Sequence, residues 1–141
     1  MILYLDTSSF IKLYVEEEGS EQVRRMAASA ELASSSVVAY VEMRAALARI
    51  YQSTRLDAAS YQKALRTFEA DWPSLATVAL TEPVLRLSGE LAERHLLKAL
   101  DAIHLASAVT LQQDSGDPVG FSGWDARLKA AAASEGLTVA G

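Results

Sequence analysis

Cysteine is absent from this sequence, which excludes structural disulfides and thiolate metal sites. Any metal must therefore be bound by oxygen or histidine, and the chain has only two histidines. Apolar runs long enough to span a bilayer, about 18 residues, are also missing. The first apolar run, Ile2–Leu5, is too short for the core of a signal peptide. We therefore expect a cytoplasmic protein without a membrane partner.

Glycine is missing from the start of the chain, where Gly19 is the first. A P-loop or a Rossmann nucleotide-binding domain requires a glycine-rich turn after its first strand, so both are disfavoured. A phosphatase with an aspartyl nucleophile after the first strand is a closer rival. Such enzymes usually carry a second acid two residues after the nucleophile. After Asp6 that position holds Ser8, which counts against this class as well.

The composition predicts one globular domain over residues 1–141, since half of the residues are hydrophobic and 22% are charged. The net charge of −5 argues against a protein that coats nucleic acid through bulk positive charge. It does not exclude an enzyme that acts on nucleic acid. If a few of the 18 acidic residues were gathered in one site, the remaining surface would be nearly balanced.

Short β-compatible segments alternate with helical patterns along the chain. We predict strands at 2–5, 32–35, 77–80, 119–121 and 137–139. Between them apolar residues recur at helical spacing, as Tyr40, Met43 and Leu47 do. The alternation predicts a three-layer α/β/α fold of the α/β class. Its central, mainly parallel sheet would have about four to five short strands, with helices on both faces.

Individual residues predict several helix boundaries. Asp57 and Thr81 are suited to cap helices at their N-termini. Pro73 should end the helix before it, because proline cannot continue a helix. Gly19 is expected to stop the first helix.

Four acidic residues stand out by their positions. Asp6 follows the first strand, and Asp125 follows the strand that ends at Phe121. Glu42 lies in the first turns of one helix and Asp101 opens another. Taken singly, each aspartate is explained by helix capping and Glu42 by solvation. Taken together, all four can converge at the carboxyl edge of a parallel sheet, where ligands bind in such folds.

A cluster of this kind would need a counter-ion. Two carboxylates about 6 Å apart, at an effective dielectric of about 20, repel each other by roughly 3 kcal/mol. Protonation, a basic neighbour or a divalent cation must relieve that repulsion. Carboxylate oxygens suit hard cations such as Mg²⁺ or Mn²⁺.

Four segments together resemble the acidic motifs of VapC-type PIN domains, in the same order. They are LDTSSFIKLY, SSVVAYVEMRAAL, LKALDAIHLASA and FSGWDARL. The resemblance runs from Asp6 to Asp125, and the ordered set is far more specific than the opening LDTS alone. It implies a PIN-like fold and an endoribonuclease that hydrolyses RNA phosphodiester bonds with Mg²⁺, for which Mn²⁺ can substitute. There is one departure: many relatives have Thr or Ser where this chain has Gly123, while Ser122 stands one place earlier.

The resemblance also implies roles for single residues and partners. The catalytic, metal-binding carboxylates would be Asp6, Glu42, Asp101 and Asp125, with Thr7 or Ser8 ordering the first turn and nearby water. The implied biological role is the toxin of a type II toxin–antitoxin pair. Such a toxin would be a homodimer neutralised by a VapB-type antitoxin, and would reach DNA only through that antitoxin. The alternative is a catalytically silent PIN module that binds RNA or a protein partner.

Candidate substrate contacts lie close in sequence to the acidic motifs. They are Thr7, Ser8, Lys12, Arg49 and Ser122. Among them Arg49 follows Glu42 by seven residues and so shares its helical face. His104, three residues after Asp101, is expected to be structural or to position another group, because no second histidine lies nearby. Phe121 is expected in the core, while packing and base stacking both remain open for Trp124.

Overall fold

A computed structural model describes residues 1–140; Gly141, the last residue of the predicted domain, lies outside the described residues. The strands are β1 (Ile2–Leu5), β2 (Leu32–Ser36), β3 (Ala76–Val78), β4 (Val119–Ser122) and β5 (Thr138–Ala140). The helices are α1 (Thr7–Phe10), α2 (Ser20–Ser29), α3 (Ala39–Gln52), α4 (Ala58–Asp71), α5 (Glu82–His95), α6 (Ala99–Ser115) and α7 (Ala126–Ser134). Within residues 1–140 none of these helices is long and apolar enough to cross a bilayer.

All five strands are parallel, in the order β3-β2-β1-β4-β5. Along the chain, β2 and β3 are added on one side of β1, and β4 and β5 are then added on its other side. The strand order therefore reverses between β1 and β4. In the register of these two strands Leu5 lies opposite Ser122. The carboxyl ends of neighbouring strands at such a switch point border a crevice, which is where α/β folds bind ligands.

Side chains of β1 alternate between two hydrophobic cores. Ile2 and Tyr4 pack in one core with residues of α5, α6 and α7. Leu3 and Leu5 pack in the other with residues of α1, α2, α3 and α4. The strand therefore has both faces buried, as expected of a central strand in a parallel sheet. This confirms the predicted α/β/α layers and the mainly parallel sheet.

Most predicted boundaries are confirmed, including the caps. Asp57 accepts a hydrogen bond from the Ser60 amide at 2.7 Å, and Thr81 accepts one from the Val84 amide at 3.4 Å. The third strand is shorter than predicted, because pairing with β2 ends at Val78.

The prediction that Gly19 stops the first helix is wrong. Helix α1 passes into a 3₁₀ turn, Ile11–Leu13, and helical structure ends there. Gly19 instead precedes α2 with a φ of 90°, in the left-handed region that favours glycine. A Cβ at this position would lie 2.5 Å from the Trp124 ring. Glycine is therefore required here both by backbone conformation and by close packing.

Candidate active site

Asp6 lies at the end of β1, with only 4% of its surface exposed. Its amide donates to the Ser122 carbonyl on β4 at 3.0 Å, which ties it to the switch point. Its Oδ1 accepts from the Ser9 amide at 3.0 Å and from the Ser8 hydroxyl at 2.7 Å. Burial raises the pKa of Asp6, these hydrogen bonds oppose the rise, and the charge of Asp101 adds to it. Asp6 thus caps α1 and is also a buried carboxylate whose ionised form is disfavoured by burial and by the charge of Asp101.

Gly123 makes room for the second oxygen of that carboxylate. A Cβ at position 123 would lie 2.7 Å from Oδ2 and 3.1 Å from Cγ of Asp6. Real Cβ atoms essentially never approach that closely, and a displaced carboxylate would disturb the cap on α1. The glycine that departs from the family pattern is therefore explained by the placement of Asp6 in this chain.

Glu42 is fixed by two side chains that come from other parts of the fold. Its Oε1 accepts from the Thr7 hydroxyl at 2.9 Å and lies 2.7 Å from Nε2 of His104. Since an ionised carboxylate only accepts, Nε2 carries the proton. Burial alone would raise the pKa of Glu42, but His104, Thr7 and the charge of Arg49 hold it below its usual value. Glu42 is therefore held in its ionised form.

His104 joins this carboxylate to the core. Its ring is 2% exposed, and its Nδ1 lies 2.7 Å from the hydroxyl of Tyr4. Tyr4 is completely buried, and its ring stacks on Phe121 with centroids 5.6 Å apart. Burial raises the pKa of the Tyr4 hydroxyl well above its usual value, so that hydroxyl stays protonated. Both ring nitrogens of His104 are thus engaged, and the ring cannot rotate without losing a bond.

Asp101 and Asp125 complete the acidic group. Asp101 is half-buried in the first turn of α6; it does not cap that helix, because Lys98 occupies the N-cap position. Burial and the neighbouring charge of Asp125 raise the pKa of Asp101, and Glu42 contributes in the same direction. Asp125 is exposed and caps α7 by accepting from the Leu128 amide at 2.9 Å. Electrostatic interaction thus links the four acids, although two of them also cap helices.

The acidic group suits a hydrated hard cation. Within residues 1–140, no three His, Asp or Glu side chains are close enough together to enclose a metal ion by themselves. Mg²⁺ rarely needs such a cage, because it keeps several waters and is held through one or two carboxylates plus substrate phosphate. Burial is the main cause of the raised pKa values of Asp6 and Asp101, and neighbouring carboxylates add to it, so a bound cation would favour the ionised form of both. The residues therefore fit Mg²⁺ or Mn²⁺.

Comparisons with known proteins assign the chain to a family. The PIN domain family model matches residues 3–115. The chain is 37% identical over 140 residues to Ribonuclease VapC45 and to Ribonuclease VapC49 of Mycobacterium tuberculosis, with 99% of this chain and 94% of each relative covered. It belongs to the VapC-type ribonucleases of the PIN-domain family.

Solved structures share the PIN fold. FitAcB from Neisseria gonorrhoeae superposes with a TM-score of 0.68 at 20% identity, covering 100% of this chain and 97% of that one. Mycobacterium tuberculosis VapC20, a toxin that cleaves the sarcin–ricin loop, gives 0.64 at 16% identity, with 92% and 94% covered. A toxin–antitoxin complex from Klebsiella pneumoniae gives 0.56 at 18% identity, with 84% and 83% covered. At these identities the likeness shows the fold alone.

The predicted substrate contacts of this PIN domain occupy different environments. Ser8 is exposed beside Asp6 and also accepts from the Trp124 amide at 3.1 Å. Arg49 is exposed and lines a groove together with Thr7 and Glu42. These positions leave them accessible to a substrate at the acidic group.

The predictions of Ser122 and Lys12 as substrate contacts require revision. Ser122 is fully buried and its hydroxyl bonds to that of Ser9 at 2.8 Å, so its prediction as a substrate contact is wrong. Lys12 is largely buried, its Nζ bonded to Glu17 at 2.9 Å and lying 4.7 Å from the centroid of the Trp124 ring. It is a fixed charge and not a mobile phosphate ligand. The half-buried Trp124 ring packs on Gly19, so its main role is packing.

Sequence reasoning missed Tyr4. Its hydroxyl orients His104, yet in the sequence it is one apolar residue within a buried strand. The only available signal was that a buried tyrosine hydroxyl usually needs a hydrogen-bond partner. The interpretation of His104 as a positioning residue fits its contact with Glu42.

Proposed function

We propose that this VapC-type PIN domain, residues 1–141, is a Mg²⁺-dependent endoribonuclease that hydrolyses RNA phosphodiester bonds as the toxin of a type II toxin–antitoxin pair. The observation that carries the proposal is the group of four carboxylates at the β1/β4 switch point. Asp6 and Asp101 have raised pKa values there, while Glu42 is held ionised. If these acids served only as helix caps, there would be no reason for four of them, from separate elements, to lie close enough to affect one another's pKa values.

The proposed chemistry follows from how each side chain is held. Asp6, Asp101, Glu42 and Asp125 would hold the cation, which when bound lowers the pKa of a water and neutralises the scissile phosphate. Both bonds to Glu42 end on its Oε1, so Oε2 is left to orient the attacking water and accept its proton. Ser8 and Ser9 fix the carboxylate of Asp6 through Oδ1. Water is the nucleophile, and no side chain forms a covalent intermediate.

The test is cleavage of structured RNAs, including a sarcin–ricin loop hairpin, with Mg²⁺, with Mn²⁺ and with excess EDTA. We expect cleavage with Mg²⁺, activity also with Mn²⁺ because it accepts the same oxygen ligands, and none in EDTA. Asp6→Asn should be inactive with either metal and serves as the control for contaminating nuclease. Cleavage that persists in EDTA and in Asp6→Asn would contradict the mechanism. RNA binding without cleavage under all conditions would favour the catalytically silent alternative.

The partners are proposed from the family and from the charge of the site. One structural relative is a toxin–antitoxin complex, and a guanidinium from a VapB-type antitoxin would suit the acidic group through bidentate hydrogen bonds. We propose a cytoplasmic homodimer that reaches DNA only through the antitoxin. Light scattering of the free chain and co-purification with the product of the adjacent reading frame test both parts. A strict monomer that retains no such partner would contradict them.

A further inference from the structure

A cleft of about 480 Å³ adjoins the acidic group on the side of α3. Its wall carries three cationic side chains, Lys12, Arg49 and Arg55, and one acid, Glu17. Ile11 and Ile50, core residues with 6% and 7% of their surface exposed, form its floor. These six residues define what we call the cationic cleft. Its size falls within the range of about 300 to 1,000 Å³ that is typical of ligand sites.

The cationic cleft connects directly to the carboxylates. Ser8 lines it and donates to Asp6 at 2.7 Å. Arg49 lines it as well as the groove that contains Glu42, and the charge of Arg49 lowers the pKa of Glu42. An RNA strand with its scissile phosphate at the carboxylates would therefore place its next nucleotide in this cleft.

One acid offsets part of the positive charge in the cleft. Glu17 bonds to Lys12 Nζ at 2.9 Å and lies 3.8 Å from a guanidinium nitrogen of Arg55. Among residues 1–140, Arg49 has no carboxylate within ion-pair distance. The cleft is thus net positive in a chain whose net charge is −5. A concentration of positive charge against the overall sign of the protein indicates an anionic ligand.

The turn that ends α3 carries two of the residues that line the cleft. Thr54 has a φ of 64°, in the left-handed region that residues other than glycine rarely adopt. Its amide bonds to the Tyr51 carbonyl at 3.0 Å, which closes the turn after α3. The residues on either side, Ser53 and Arg55, both line the cleft. A left-handed residue just after the C-cap is a common way to end a helix, and here it fixes where the chain leaves α3.

We propose that the cationic cleft binds the RNA nucleotide next to the scissile phosphodiester. Its phosphate contacts Arg49 and Arg55, and its sugar and base lie over the floor of the cleft. This inference rests on the proposed ribonuclease function, since it assigns the substrate's path away from the carboxylates. Glu17 acts as a competitor: RNA phosphate displaces it from Arg55, while Lys12 remains a fixed source of positive potential.

The test measures RNA binding apart from cleavage. A fluorescein-labelled single-stranded RNA of mixed sequence is titrated in EDTA, and anisotropy gives Kd between about 50 and 200 mM salt. We expect Arg55→Gln and Arg49→Gln each to weaken binding several-fold. Each should also reduce the slope of log K against log salt, by at most about 0.7, the value for one lost phosphate contact on a single strand. Glu17→Gln should tighten binding, because it frees Arg55.

The matched control is Arg86→Gln. Arg86 is exposed on α5 and pairs with Glu82 at 2.8 Å, so its replacement removes the same charge from a comparable ion pair away from the cleft. Its Kd and salt slope should equal those of the wild type. An equal loss in Arg86→Gln would mean that only net charge matters, and wild-type binding by Arg49→Gln and Arg55→Gln would likewise overturn the proposal.

Cleavage kinetics separate this inference from the ribonuclease proposal. With Mg²⁺, Arg55→Gln should raise KM several-fold while kcat is retained, because Arg55 contacts a neighbouring nucleotide and not the reacting phosphate. A loss of kcat with unchanged KM would contradict the proposed position. If the wild type binds RNA through these arginines but does not cleave it, the ribonuclease proposal fails and the binding site stands.

Discussion

Nε2 of His104 lies 2.7 Å from Oε1 of Glu42, although 62 residues separate them in the chain. Helices α6 and α3, which carry them, pack on opposite faces of the sheet. The two side chains meet beyond the end of β1, where Thr7 also bonds to Glu42. Through His104 the hydrogen bonds continue into the core to Tyr4. The position of a carboxylate at the site is thus set by a buried phenol.

Replacing His104 should shift the pH dependence of cleavage. In His104→Gln the interactions that lower the pKa of Glu42 are weakened, so that pKa rises. The acid limb of the kcat/KM profile should therefore move to higher pH. Tyr4→Phe, which keeps the ring against Phe121, should cause a smaller shift in the same direction and a stability loss of about 1 kcal/mol from the unpaired Nδ1. Profiles of all three proteins that superpose would show that this network does not position Glu42.

Asp101→Asn should separate a shared acidic site from unrelated acids. Removing its charge relieves repulsion in the metal-free protein, so we expect the Tm in EDTA to rise by about 3 °C, equivalent to roughly 1 kcal/mol. The further rise produced by Mg²⁺ should shrink, because a ligand that binds the native state stabilises it in proportion to its affinity. RNA cleavage should fall by orders of magnitude. Unchanged metal response together with wild-type cleavage would place Asp101 outside the site.

Stability without metal should also depend on pH through the same acids. An unfolded aspartate has a pKa of about 3.9, and in the folded chain the pKa values of Asp6 and Asp101 are raised. The native state therefore binds more protons above that value, and the free energy of unfolding falls as pH rises. In urea titrations with EDTA, the wild type should lose stability relative to Asp101→Asn from about pH 4 upward, until both native-state groups are ionised. A constant difference between the two proteins would contradict this linkage.

Gly123→Ala should damage the site more than the fold. The added Cβ would meet Oδ2 of Asp6 at 2.7 Å and displace the carboxylate, so metal-stimulated cleavage should fall at least about tenfold through the misplaced ligand. Gly89→Ala is the control, because nothing lies within 4 Å of a Cβ there and helix α5 should gain about 0.5–1 kcal/mol. Melting curves and cleavage rates of both variants check this. Wild-type cleavage by Gly123→Ala would show that Asp6 tolerates displacement.

Much of the fold could be predicted because its signals are local. Asp57, Thr81 and Pro73 act on backbone groups within a few residues, so their effects on helix ends can be read from the sequence. Alternation of short strands with helices was enough to predict a parallel sheet between two helical layers. The order of the four acidic motifs was enough to predict the family. The wrong prediction for Gly19 shows the limit of such local signals. This glycine is required by the close packing of Trp124 as well as by its own backbone conformation.

The sequence by itself determined which acids to consider, and the tertiary structure decided how each is held. The contacts of Glu42 with His104 and of Tyr4 with His104 span 62 and 100 residues, so they exist only once the sheet has set its strand order. The burial of Ser122 likewise depends on what packs around β4. Local preferences act over one or two turns of chain, whereas side-chain distances and desolvation at the site arise from elements brought together from the whole domain. For that reason the carboxylates could be named in advance, but the role of Tyr4 and the pairing of His104 with Glu42 could not.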